Sequence, residues 1–595
     1  MAKNYLLFII DSLNYSHVKE STIELMPFLE KLKKQGISCE NMYSQAPYTE
    51  AAVMNLYCGQ DVLQNGGYLF RFKNARKTIF EEMHDRGFRT YYNSYQPQCH
   101  PSSVRRGIDD IYYNVGYDLC ALWSYRLEHY AELLKIGTIN ECDYTNLYEI
   151  FDDNFAEWIR FADDVLNDDL SVSLIKNNDA SYNAFEIKGA VLKQYDIFRH
   201  DKKTYIDDVL RQGQRHPIFS IPAYVQHNKI KNREIVEYVR NEYRPLVKRI
   251  KSMDTKLNLK NATRLASGPV RKFKSLFKNP SKDRLKDFAK SIYLSLNELT
   301  DFDLYQRIKE DCDWFKNAPS GRTHIDHFIN WAKSQCNEQP YFACIHIDDI
   351  HNPEEFFTYD SENKEVLDAE KKNAEDLLNQ IPSSYHGSLT HDLSLRYIDN
   401  IIKYLYDRLQ KENLLSGLCM IICADHGFSF SGNPLRDSFV TNLYLENYNI
   451  PCIITGAGHE GLNINKLTTS KDIPATICDI AFGGVPSDFT GNSVLSDYEY
   501  PNVSIEYCGG GCPDLKRREL KIAAFNQEYF VGSLAKLDDK LSDDKITEIY
   551  DLAKDPHQFN NLVNKSYSFA SVKVLIEAIE KRRKDIRNSM MTNME

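Results

Sequence analysis

Three runs in this chain are apolar at nearly every position rather than at alternate ones: Asn4–Ile10, Tyr341–Ile347 and Leu418–Ala424. Continuous apolar runs of this length predict strands covered on both faces, as in a parallel sheet. Each ends abruptly in polar residues: Asp11-Ser12-Leu13, Asp348-Asp349-Ile350-His351-Asn352-Pro353 and Asp425-His426-Gly427. Ile37–Tyr43, Thr90–Tyr95 and Ile450–Gly456 read as further strands. Between them the period changes to helical. Ser21-Thr22-Ile23-Glu24 has the form of a capping box, and Leu25, Leu29 and Leu32 then recur until Gly36 closes the element. Leu393–Leu409, with Ile398, Ile401, Ile402 and Leu405, predicts a second helix, and Asp472–Phe482, with Pro474 near its first turn, a third. After Pro501 come short strands at Val503–Tyr507, Leu520–Phe525, Tyr529–Leu534 and Ile546–Leu552, then a helix from Phe569 to about Arg587.

This order predicts an α/β fold with a doubly wound, mostly parallel sheet, in which ligands collect at the carboxyl ends of the strands. From Pro101 to Asn330 the pattern shifts to long, polar, Tyr- and Lys-rich helical segments, read as an insertion. The predicted organisation is a first catalytic part at 1–100, a mainly helical insertion at 101–330, a second catalytic part at 331–495 and a small α+β subdomain with an antiparallel sheet at 496–595.

At 595 residues with 42% hydrophobic content the chain can bury a sizeable core, and its net charge of -11 makes nucleic acid an unexpected partner. Its 14 Cys are scattered, several inside apolar runs, which fits a reducing cytoplasm. Cys508-Gly509-Gly510-Gly511-Cys512 has no second pair nearby and reads as a loop. With no export signal and no run near the roughly 20 apolar residues of a bilayer span, the expected location is cytoplasmic, including the inner face of the membrane. One local asymmetry stands out. Arg240–Lys290 holds 16 Lys and Arg against 4 Asp and Glu. It reads either as a solvated helical face or, through Val270, Phe273, Leu276 and Phe277 among Arg271, Lys272, Lys274 and Lys278, as a basic amphipathic helix for anionic lipid or another polyanion.

The candidate chemistry centres on Gln45–Gly59. Ala46-Pro47-Tyr48 shapes an extended approach to Thr49, and the run Ala51-Ala52-Val53-Met54 predicts a helix starting there. The ordinary reading of such a threonine is an N-cap. The other reading is a nucleophile, because free N–H groups and the dipole at a helix N-terminus favour a bound anion and an alkoxide. Asp11, Thr49, Asp425 and His426 would all lie at one edge of a parallel sheet. Two carboxylates, a hydroxyl and an imidazole suit one divalent metal, Zn2+ or Mn2+ first and Mg2+ or Ca2+ as alternatives, which would lower the hydroxyl pKa.

These pieces resemble the alkaline phosphatase superfamily, and within it the sulfatase-like branch. The resemblance rests on Ile9-Ile10-Asp11-Ser12-Leu13, Met26-Pro27-Phe28-Leu29-Glu30-Lys31-Leu32, Ala46-Pro47-Tyr48-Thr49, His351-Asn352-Pro353, Ala424-Asp425-His426-Gly427, Asp472-Ile473-Pro474-Ala475-Thr476 and Glu548–Pro556 followed by Asn560-Asn561-Leu562. It implies an alkaline-phosphatase-like fold and a metal held by Asp11, Thr49, Asp425 and His426. It also implies attack by Thr49 through a phospho-Thr intermediate, with His351 protonating the leaving oxygen or binding the transferred group. His346, Asp349 and Glu50 are the further candidate substrate contacts, although a histidine inside a strand more often simply packs. Where sulfate-ester hydrolases carry Cys-x-Pro-x-Arg, with the Cys or a Ser matured to formylglycine, this chain reads Thr49-Glu50-Ala51-Ala52-Val53. Ser12 replaces the second Asp of calcium-binding sulfatases, and Asp348 and His351 are one residue too close for the Asp-x-x-x-His of two-metal relatives.

The expectation is therefore a phosphodiester hydrolase or phosphotransferase working on an anionic phosphoester such as a glycan or lipid head group. The alternatives are a sulfatase and a catalytically silent polyanion-binding scaffold; homo-oligomerisation is left open. Docking of 240–290 on a membrane has a direct check in flotation with anionic vesicles. Binding should weaken with salt and with charge reversal at Arg271, Lys272 and Lys274, and salt-insensitive or absent binding would remove that role.

Overall fold

In the computed structural model, the described residues are 3–61 (except 22), 77–94, 106–114, 172–175, 180–227 (except 183), 321–335, 339–350, 364–381, 389–428, 443–508, 519–536, 544–565 and 569–592, with shorter pieces within 148–163 and 233–253. The central strands are the apolar runs of the sequence. β1 (Asn4–Ile10) is the middle of the main sheet, and beyond Asn4 each of its residues is buried. The strands from the N-terminal part are β2 (Ile37–Cys39), β3 (Met42–Tyr43), β4 (Arg89–Ser94), β5 (Asp110–Asn114) and β6 (Val172–Ile175), followed by a ribbon of β7 (Ala180–Tyr182) and β8 (Val225–His227). β9 (Tyr341–Ile347) and β10 (Leu418–Ala424) are buried throughout. Then come β11 (Asn449–Ile450), β12 (Cys452–Thr455), β13 (Leu462–Ile464) and β14 (Thr468–Thr469).

The nine-stranded sheet runs β13-β2-β12-β10-β1-β9-β4-β5-β6. β10, β1, β9, β4, β5 and β6 are mutually parallel, while β12 runs against both of its neighbours. This is the mostly parallel α/β fold that continuous apolar strands require, since only strands covered on both sides can be apolar at each position. Two of the strands, β5 and β6, come from within the 101–330 segment, so the sheet does not stop at 100. That segment also supplies the helices Ala184–His200 and Lys202–Gln212. The basic stretch from 254 onward lies outside the described residues.

Three local expectations change. The capping box at Ser21 does not form: α1 (Tyr15–Glu20) ends before it, and α2 (Pro27–Gln35) starts with Pro27 in its first turn. The cap comes instead from the distant Asp399, whose two oxygens accept from Phe28 N at 2.9 Å and Leu29 N at 2.8 Å. Burial still pushes that carboxyl up to about 6. The stretch Ile37–Tyr43 is two short strands, β2 in the main sheet and β3 in a three-stranded sheet β11-β3-β14, and Ile450–Gly456 divides in the same way. Gly36 ends α2 as read, but in an extended conformation; a Cβ there would meet the Ile454 carbonyl oxygen at 2.3 Å.

The C-terminal subdomain is an antiparallel sheet of β15 (Val503–Cys508), β16 (Glu519–Phe525), β17 (Tyr529–Lys536) and β18 (Lys545–Asp551), packed under the helix Phe569–Thr592. A buried charge network joins it to the main domain. Arg582 pairs with Glu506 and reaches Asp61 at 3.6 Å, and Lys471 meets Asp61 at 2.9 Å. Burial would raise Asp61, but Lys471 and Arg582 outweigh it and hold the carboxyl down at about 2. Arg582→Met should cost on the order of 3–5 kcal/mol, because it strands the Glu506 charge in the interior. Adding Glu506→Gln should restore much of that loss, read as a shift in urea midpoint.

Candidate active site

β1 and β10 lie side by side in register, Ile10 opposite Ala424, so the next residues, Asp11 and Asp425, leave the sheet together. Both are buried, at 2% and 0% exposure. Two carboxylates at adjacent strand ends repel each other, and Asp425 carries the consequence: burial first, and then the Asp11 charge, push its carboxyl above the ordinary range. Ser12 serves both. Its N–H donates to Asp425 Oδ1 at 3.0 Å and its hydroxyl to Asp11 Oδ1 at 2.5 Å. To do so Ser12 adopts φ 58°, a left-handed conformation that costs a non-glycine residue energy.

Thr49 is the first residue of α3 (Thr49–Cys58), and the position before it, Tyr48, is the N-cap, without a capping hydrogen bond from its side chain. The N-cap reading of Thr49 is therefore not realised. Thr49 Oγ1 faces the carboxylates instead, 3.3 Å from Asp11 Oδ2 and 3.4 Å from His426 Nε2. α3 is fixed by its surroundings. Ala51 through Cys58 are all buried at 0%, and Gly59 closes the helix with φ 58° while its N–H donates to Asn55 O. Gln45 upstream accepts the Glu506 N–H at 3.1 Å, tying the approach loop to β15.

His426 Nε2 stands 3.7 Å from Asp11 Oδ1 and 3.6 Å from Asp425 Oδ2, and its other ring nitrogen lies 2.7 Å from the Gly427 carbonyl. His346 Nε2 approaches Asp425 Oδ2 at 3.8 Å. Asp11, Thr49, Asp425, His426 and His346 are thus brought together. Asp349 serves the frame: its Oδ1 accepts from Gly321 N at 2.7 Å and Tyr397 Oη at 3.4 Å, holding the start of the helix Gly321–Ser334. His351 lies outside the described residues. Glu50 is in the first turn of α3. Sequence reasoning missed Ser12 as a support, since its signal is a backbone angle, and Asn14, whose side-chain amide donates to the Phe428 carbonyl and anchors the loop after His426.

The donor set fits a divalent cation. Ligand atoms of Asp11, His346 and Asp425 all lie within 4.8 Å of one another. Donors about 2.1 Å from one ion stand roughly 3 to 4 Å apart, the range of the separations above. Asp425 Oδ2 and both His346 ring nitrogens are buried without a hydrogen-bond partner among the described residues. Such groups ordinarily cost about 1–3 kcal/mol each, and a cation among them would remove that cost for the atoms it binds.

The chain matches the family model described as Sulfatase over residues 3–168 and 273–484, well over half its length. The interval between the two matched stretches falls inside the segment read as an insertion. No curated protein matches. Among solved structures, a Bacteroides fragilis protein provisionally named a sulfatase is 11% identical, with 99% of this chain and 97% of that chain covered at a TM-score of 0.51. A Bacteroides thetaiotaomicron protein described with the metabolism of multiple glycosaminoglycans is 10% identical, with 99% and 96% covered at 0.51. At such identities the likeness shows the fold alone. A phosphonate monoester hydrolase of Agrobacterium radiobacter, 12% identical over 98% and 96% at a TM-score of 0.47, carries no further weight.

A divalent metal should stabilise the protein, because it binds the native carboxylate pair and not the unfolded chain. At 100 times its Kd the gain is about 2.7 kcal/mol. The measurement is the thermal midpoint with Zn2+, Mn2+ or EDTA; Asp425→Asn should abolish the metal-dependent rise.

Proposed function

Because the chain belongs to the sulfatase family, a family of hydrolases that typically bind a divalent metal, we propose that it is a metal-assisted hydrolase or transferase of anionic phosphodiesters with Thr49 as nucleophile. The observation that carries this is the place of Thr49 Oγ1: at the start of a rigid buried helix, not used as a cap, and within 3.4 Å of both a carboxylate and an imidazole. Asp11 Oδ2 already faces the hydroxyl and takes its proton as the Oγ1–P bond forms in line with the departing alkoxide. His351 gives the leaving oxygen a proton. Water or an acceptor alcohol then displaces the remaining phosphoryl ester from Thr49 as a phosphomonoester or a new diester, its own proton passing to His351 while Asp11 gives its proton back to Thr49 Oγ1. Asp11, Asp425 and His426 with Thr49 would hold a divalent cation, which would supply a lowered hydroxyl pKa and screening of the anionic ester. The N-terminus of α3 adds its dipole at the same point.

Sulfate-ester hydrolysis is the second reading, favoured by the family match itself. Against it stands the chemistry of the residue: Thr49 occupies the place of the Cys or Ser that becomes formylglycine, and no Arg follows at Val53. The two readings separate on bis-p-nitrophenyl phosphate, p-nitrophenyl phosphate and p-nitrophenyl sulfate. Phosphodiester turnover should dominate, and Thr49→Ala should lower kcat by roughly 10³-fold or more. Preference for the sulfate ester would move the second reading forward. An unchanged rate in Thr49→Ala would remove the nucleophile. No turnover of any ester would favour a silent scaffold.

A further inference from the structure

We infer that His346 is a nitrogen ligand of this site and sets its choice of metal, favouring borderline ions such as Zn2+ over Ca2+ and Mg2+; this rests on the reading above that a cation sits between Asp11 and Asp425. The placement comes from strand register. Ile9 is opposite His346 on β9 and opposite Cys423 on β10. Side chains two apart share a face, so Asp11, two beyond Ile9, and Asp425, two beyond Cys423, emerge on the face that His346 occupies. Three adjacent strands thereby direct three ligating side chains to one point. Their ligand atoms are mutually within 4.8 Å, and His346 is only 3% exposed.

A packed core histidine behaves differently in this same protein. His324, equally buried, keeps its Nδ1 against the Asn93 side-chain oxygen at 2.5 Å. His346 has neither ring nitrogen engaged in a hydrogen bond among the described residues, and beside it Asp425 Oδ2 is in the same condition. The residue at position 12, by contrast, is committed to support: its hydroxyl and N–H both go to the carboxylates. The acidic donors are then Asp11 and Asp425, and the imidazoles of His346 and His426 complete a mixed nitrogen and oxygen set. Carboxylate and water oxygens suit Mg2+ and Ca2+, whereas imidazole shifts preference towards Zn2+ and its neighbours. With two carboxylates and neutral imidazoles, a dication is balanced rather than over-neutralised, so an anionic ester is not repelled.

The test uses the full-length protein and metal binding rather than turnover. Titration with Zn2+ and with Ca2+ in wild type, His346→Ala and His346→Gln should show Zn2+ affinity falling by more than the roughly 10–100-fold that loss of an outer partner costs. Ca2+ affinity should change little, and the oxygen of Gln should narrow the Zn2+/Ca2+ ratio further. X-ray absorption of the Zn2+-loaded wild type, which needs no variant to fold, should show two imidazole ligands. One imidazole, or unchanged Zn2+ affinity in both variants, overturns the role of His346 and leaves the metal reading standing. Failure of the wild type to bind any divalent ion overturns both.

Discussion

The structure depends on one costly arrangement: two buried carboxylates, Asp11 and Asp425, released side by side from adjacent parallel strands. Nothing about the fold makes that favourable in itself. Their repulsion and desolvation are held in place by the strand register behind them and by Ser12, which accepts a strained backbone to donate to both. His426, His346 and Thr49 then close around the pair. The site is an electrostatic problem whose surroundings favour positive charge.

The second support is mechanical. α3 is buried along its length, and its approach loop is tied to β15, which is joined in turn through Glu506 and Arg582 to the terminal helix. The small subdomain therefore buttresses the element that carries Thr49. A side chain at the start of so well buried a helix is held at a defined angle, the kind of positioning on which catalysis in general draws.

Much of this was legible in the chain. Unbroken apolar runs ending in Asp or His gave the central strands and the edge where Asp11, Asp425 and His426 meet, because burial on both faces leaves no other pattern. Thr49 was visible from its place between Pro47-Tyr48 and an apolar helix. What could not be read was long-range. The cap on α2 comes from Asp399 rather than from Ser21 nearby, and sequence spacing cannot report a partner some 370 residues away. The division of Ile37–Tyr43 and Ile450–Gly456 between two sheets likewise follows from a shared corner, not from either segment. His346 looked like a packed residue because its neighbours in β9 are all apolar; only the register with β1 and β10 brings it to the carboxylates.

The register that creates the site also sets when it can exist. The bond from Ser12 N–H to Asp425 spans 413 residues, and β1, the strand that Ser12 follows, pairs with partners that begin at 341 and 418. Contacts of such separation close large loops and form slowly. A chain emerging during synthesis has Asp11 and Thr49 long before Asp425 and His426 arrive. The pairing of the two carboxylates is thus a late event in folding, and a truncated or half-folded chain lacks the assembled cluster altogether.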